Sequence, residues 1–176
     1  MKAQYATRFK RIARLPCAGY AATMRVADLP ALSGRDLASS AWLLVDQARI
    51  DAFAECTGDR QFIHVDPQRA QRDSPFGGTI AHGYLTLSLL SALRAPDFPV
   101  PEDLGLVVNY GLDALRFVAP VPAGSRIRVH TRVGEVTPRG SLRMLVRLHL
   151  TVEIEHQAKP ALTVEQLVLF VRSAER

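Results

Sequence analysis

Apolar and polar side chains alternate through most of the C-terminal half of the chain, the two-residue period of strands with one buried face. Leu106, Val108, Tyr110 and Leu112 keep one parity, then the apolar positions shift to Leu115 and Phe117. A one-residue shift of that kind predicts a β-bulge near residues 111–114. Pro120, Pro122 and Gly124 make a turn, and Arg126 to Val133 alternates again. Beyond the Pro138-Arg139-Gly140 turn, Met144, Val146, Leu148, Leu150, Val152 and Ile154 share one face of a long strand. Arg143, Arg147, His149, Thr151, Glu153 and Glu155 mostly occupy its other face, and Lys159-Pro160 leads into a last strand from Leu162 to Val171.

The N-terminal half has a different period. Trp42 to Val45 reads as a short strand, and Asp46 suits the N-cap of a helix. Ile50, Phe53, Ala54 and Thr57 recur at helical spacing, with Gly58 as the stop. An irregular stretch follows from Asp59 to Thr79, interrupted by Pro67, Pro75 and Gly77-Gly78. The run from Ile80 to Leu93 has no polar stripe beyond small hydroxyls, so as a helix it would be buried nearly all round. The expected class is α+β: a curved antiparallel sheet wrapped around a long apolar central helix, its edge open to extension by a second subunit.

The length of 176 residues suits one domain, and 48% hydrophobic with 22% charged residues is the composition of a soluble globular protein. The charge changes that picture only at one end. Residues 1–40 hold seven Lys or Arg against Asp28 and Asp36, which leaves fifteen basic and fifteen acidic residues for the rest. The excess of +5 is therefore an attribute of the N-terminus, which argues against a nucleic-acid-binding core. The expected division is a basic extension over 1–40 and a domain over 41–176. Phe9, Ile12 and Leu15 predict a short basic amphipathic helix before Pro16, read as a surface arm. Cys17 and Cys56 suit neither a disulfide framework nor a zinc site, so a reduced, cytoplasmic location is expected. The uncharged run Ser74 to Leu93 has an apolar helical part shorter than the roughly 20 residues of a membrane span, and no secretory signal is visible.

Two segments carry candidate chemistry. In Thr57-Gly58-Asp59-Arg60-Gln61-Phe62-Ile63-His64-Val65-Asp66-Pro67, an acid and an imidazole stand five positions apart just beyond a helix. Spacing alone is weak evidence and favours a loop Asp bonding nearby N–H groups and a packed His. Asp66 and His82 are further metal-ligand nominees, but nothing in the pattern fixes a coordination geometry. In Phe76-Gly77-Gly78-Thr79-Ile80-Ala81-His82-Gly83, glycines precede the apolar helix, whose first N–H groups would suit an oxyanion. Ser91 returns to the same side eight residues after Gly83; His82 reads as a packed core or cap residue.

These two blocks, in this order and separation, with the Leu85-Thr86-Leu87-Ser88 helix, resemble the MaoC-like (R)-specific enoyl-CoA hydratases. Asn109-Tyr110-Gly111-Leu112, Arg116-Phe117, Ala119-Pro120-Val121-Pro122 and Gly124-Ser125 resemble its nodulation protein N-like branch. The resemblance covers about residues 41–172 and implies a hot-dog fold, a homodimer and an activity that needs no cofactor and no metal. It implies Asp59 and His64 as the catalytic pair, Gly83 as the oxyanion-hole N–H and Ser91 as a supporting hydroxyl. Gln61-Phe62 stands where many members carry Asn-Pro, so Gln61 keeps an amide on a longer stem. Phe62, Phe76 and Tyr84 are candidates for the acyl slot, and Arg69, Arg72, Arg116 and Arg126 for the CoA phosphates. The implied reaction adds water to a trans-2-enoyl-CoA to give an (R)-3-hydroxyacyl-CoA. A thioesterase on the same fold and a non-catalytic acyl-CoA-binding protein are the rival readings.

Overall fold

The computed structural model describes residues 24–173. Its sheet has five antiparallel strands: β1 (Leu43–Val45), β2 (Leu104–Phe117), β3 (Ser125–Pro138), β4 (Arg143–Ile154) and β5 (Leu162–Arg172). They lie in the order β1-β3-β4-β5-β2, so β2 forms one edge. The predicted parity shift is present as a bulge: the β2–β5 register slips between Asn109 and Gly111 and again between Asp113 and Arg116. Ala114 takes a positive φ of 50° inside that second slip.

Four helices join the strands: α1 (Gln47–Thr57), α2 (Phe62–Val65), α3 (Pro67–Asp73) and α4 (Gly83–Ser88). Local chemistry sets the limits of α1. Asp46 accepts the Arg49 N–H at 2.9 Å, and Gly58, at φ 78°, ends the helix in the left-handed region with its N–H on the Ala54 carbonyl at 2.8 Å. The central helix is shorter than the run Ile80 to Leu93 predicts. It comprises the six residues of α4 and one 3-10 turn, Leu89–Ser91. The reason is non-local: Ile80 bridges Pro122, and Ala81 donates to the Val121 carbonyl at 2.8 Å, so this backbone is committed to extended pairing. Nor is the helix buried all round, since Leu85, Thr86, Leu89 and Leu90 face the sheet while Tyr84 is 68% exposed.

Two cores result. Val45, Ile50, Leu85, Leu89, Leu90, Val129, Val152 and Leu162 belong to the one beneath α4. The second lies under a 3-10 helix, Val26–Leu32, whose Val26, Leu29 and Leu32 meet Val133, Val146, Val168 and Phe170. Spacing by three places them on one face of that helix. Beyond it Leu37 and Ser40 donate to Thr131 and Val129 carbonyls at 2.9 and 3.0 Å. Residues 24–40 are thus packed on the sheet, and the boundary expected at residue 40 falls inside this layer. The short basic helix expected over Phe9, Ile12 and Leu15 lies outside the described residues. Among the described residues, no helix is long and apolar enough to cross a membrane.

Asp103 fastens the second core. Its carboxylate accepts the Val26 N–H at 2.7 Å and Arg172 Nε at 2.8 Å. Burial pushes this carboxyl up, but the Val26 and Arg172 donors outweigh it and hold the group below the ordinary carboxylate range. A depressed folded value means that the stabilisation is present above the unfolded carboxylate range and fades as pH falls through the folded value. Asp103→Ala should cost about 1–3 kcal/mol, the cost of stranding buried donors, and hydrogen exchange at Val26 should accelerate. Urea unfolding at neutral pH and at pH 3 checks both parts: the gap between variant and wild type should narrow in acid.

Candidate active site

The site begins where α1 stops. Gly58 turns the chain, and Asp59 Oδ1 accepts the Gln61 N–H at 3.4 Å, a loose local turn that leaves the carboxylate exposed. The single turn of α2 then carries His64 inward, to 7% exposure. Asp66 caps α3 by accepting the Arg69 N–H at 2.9 Å and stays exposed, so this nominee has a structural task away from the imidazoles.

His64 is held by backbone. Its Nδ1 lies 2.7 Å from the Ile80 carbonyl oxygen, which can only accept, so Nδ1 carries the hydrogen and Nε2 keeps the lone pair of the neutral ring. Burial pushes the imidazole below the ordinary histidine value. The Ile80 carbonyl pulls it up, His82 pushes it down, and Asp59 pulls it up more weakly. The backbone beneath is fixed too: Gln47 Nε2 donates to the His64 carbonyl at 2.7 Å, and Thr79 Oγ1 donates to Gln47 Oε1 at 2.5 Å.

Asp59, His64 and His82 offer polar atoms that all lie within 4.8 Å of one another. His82 is buried and its ring stacks on His64, with centroids 3.8 Å apart and planes at 26°. A metal sits in the plane of each imidazole that binds it. Two stacked rings have no such common point close to both, so this donor set suits proton transfer and does not fit a shared metal.

Gly83 opens α4, and its N–H has no carbonyl partner one turn back within the helix. A Cβ there would come within 3.1 Å of the Phe117 ring, so any larger residue would push that ring away from the helix start. Tyr84 meets the same ring edge-on at 5.8 Å. Phe62 is half-buried beneath the Arg69 guanidinium, 4.2 Å from its ring centroid, and Phe76 is exposed. Among the described residues, no hydrogen bond joins the side chains of Gln61 or Ser91 to Asp59 or His64, and Ser91 is exposed in the 3-10 turn. Arg72 and Arg126 are engaged by Asp73 and Glu155. Sequence reasoning gave no site role to Gln47, Thr79 or Phe117; Gln47 and Phe117 reach the site from α1 and β2.

Known proteins resemble this chain over most of its length. The MaoC like domain family matches residues 28–154. Nodulation protein N of Rhizobium leguminosarum bv. viciae is 47% identical over 146 residues, 83% of this chain and 91% of that protein. The 3-hydroxyacyl-thioester dehydratase Z of Mycobacterium tuberculosis is 44% identical over 146 residues, 83% of this chain and 95% of that protein. Among solved structures, the unliganded R-hydratase PhaJ1 of Pseudomonas aeruginosa superposes with a TM-score of 0.61 at 25% identity, covering 88% of this chain and 92% of its own. With its curled five-stranded sheet over a central helix, the chain has the hot-dog fold and belongs to the MaoC-like dehydratase family.

Proposed function

We propose that this member of a hydratase and dehydratase family adds water to a trans-2-enoyl-CoA, giving an (R)-3-hydroxyacyl-CoA, with Asp59 and His64 as the catalytic pair. The observation that carries the reading is the fixed tautomer of His64. With Nδ1–H on the Ile80 carbonyl, Nε2 is free to accept a proton beside an exposed carboxylate. Burial keeps that nitrogen unprotonated at neutral pH.

The steps follow from these groups. The thioester carbonyl accepts the Gly83 N–H, which draws electron density from the β-carbon. Asp59 accepts one hydrogen of a water and orients it, while His64 Nε2 takes the other as oxygen bonds to the β-carbon. The double-bond electrons move towards the α-carbon and carbonyl, giving an enolate held by the Gly83 N–H. The His64 imidazolium returns its proton to the α-carbon, closing the balance with no cofactor. Phe117 and Tyr84, with Phe62, offer apolar surface for the acyl chain, and Arg116 is the guanidinium of the four candidates with no carboxylate partner among the described residues. The name of the mycobacterial relative, a dehydratase of 3-hydroxyacyl thioesters, supports this substrate class.

Asp59→Asn and His64→Ala should each lower kcat by roughly 10²–10⁴-fold, the range for a positioned acid–base group. The double variant should be little worse than the poorer single one, because both hold the same water. The assay follows loss of enoyl absorbance and release of free thiol together. Thiol release would favour a thioesterase, and near-normal turnover in either folded variant would end the assignment.

The assembly proposed is a homodimer. β2 is an edge strand, yet Leu106, Val108, Tyr110 and Leu112 on it are all exposed, with Tyr110 at 61%. An apolar edge of this length invites pairing with another strand, and a second copy of β2 would cover it. Light scattering at micromolar concentration should give twice the 19.4 kDa chain mass, whereas a monomer mass would contradict the pairing.

A further inference from the structure

His82 has no step in the mechanism above, yet it is 3% exposed, and its Nδ1 is a buried nitrogen with no hydrogen-bond partner. A buried polar atom without a partner is costly, so such a group calls for a reason. Its other nitrogen has one. Nε2 lies 2.9 Å from the backbone carbonyl oxygen of Asp59, so Nε2 carries the hydrogen and donates it there. The ring also stacks on His64 and meets Phe53 at 5.1 Å. One imidazole therefore touches both members of the candidate pair, through the backbone of one and the ring face of the other.

We propose that His82 is a positioning residue for the hydration reaction, clamping the Asp59 loop to the His64 ring so that both address one water. The inference rests on the assignment of Asp59 and His64. The stack fixes the ring plane of His64 from one side, as the Ile80 carbonyl fixes it at the edge. The bond to the Asp59 carbonyl fixes the turn that carries the carboxylate, where the two hydrogen bonds made by Asp59 itself within the turn are long at 3.4 Å. A second consequence concerns charge. Among the described residues, the ionisable groups that act on His64 are His82 and Asp59, His82 opposing its protonation and Asp59 favouring it.

Two substitutions separate the parts. His82→Gln can keep a donor near the Asp59 carbonyl but removes the ring; His82→Phe keeps a ring and removes the donor. Each should lower kcat about tenfold or more with KM little changed, the scale of lost support for a reacting group. In wild type, the acidic limb of kcat/KM against pH should lie below the ordinary histidine value of about 6.5. In His82→Gln, the opposition of the stacked ring to His64 protonation is gone, so that limb should move up. Folded variants with unchanged kcat and an unmoved limb overturn the proposal, as does a loss of thermal stability alone. Ring ¹⁵N NMR of the wild-type protein gives a test that needs no variant to fold. It should show His64 protonated at Nδ1 and His82 at Nε2, and the opposite tautomer on either ring overturns the clamp. Loss of turnover in the Asp59 and His64 variants with none in the His82 variants would sink this inference and leave the catalytic assignment standing.

Discussion

The extended segment from Thr79 to His82 is the constraint on which the rest of the site depends. Its four residues bond to three other parts of the chain. Ile80 donates to the Ile63 carbonyl at 3.0 Å and accepts from His64 Nδ1 at 2.7 Å. Ala81 donates to Val121 at 2.8 Å, and the Thr79 carbonyl accepts from Ala123 at 2.9 Å. Thr79 Oγ1 reaches Gln47 on α1, and His82 reaches the carbonyl of Asp59. A buried backbone must find partners for its polar groups, and this one finds them in the loop that carries Asp59 and His64 on one side and the β2–β3 turn on the other. The sheet therefore sets where His64 stands, and the tautomer of His64 follows from the same carbonyl that sets its position.

That commitment also shapes the helix. Because the backbone is extended through Ala81, α4 can start only at Gly83, which puts the first free N–H of the helix beside the loop that carries Asp59 and His64. The helix has six residues, so its dipole is small and the useful feature is one directed N–H group. Phe117 closes against that point, and a Cβ at residue 83 would lie 3.1 Å from its ring. Main-chain pairing thus brings Asp59, His64 and the Gly83 N–H into one region, with side chains adding the orientation.

Local signals were legible in the sequence, and long-range ones were not. The limits of α1 followed from Asp46 and Gly58, which act on their own neighbours. The alternation of β3 and β4 and the bulge in β2 followed from period and parity, since each strand has one face on the core. The family motifs identified the fold, and the structure sets Asp59 close to His64 and His64 against Ile80. The length of the central helix was misread because pairing with Val121 and Pro122 overrides an apolar pattern that helix and buried strand share. Residues 24–40 were set apart by charge, whereas Val26, Leu29 and Leu32, spaced for a 3-10 helix around Pro30, pack on the sheet. Asp66 looked like a ligand nominee by type and is a helix cap by position. The stacking of His82 on His64 joins residues eighteen apart, and no local pattern announces it.

The central claim is that one pair, on one side of the substrate, supplies both ends of the water molecule. Hydration of a short trans-2-enoyl-CoA in D₂O tests it directly, with the configuration at the α- and β-carbons of the product read by NMR. Delivery from Asp59 and His64 predicts that deuterium and oxygen are added to the same face, giving the (R)-3-hydroxy product with a single α-deuterium configuration. Addition to opposite faces, or free thiol with no 3-hydroxyacyl product, would contradict the account.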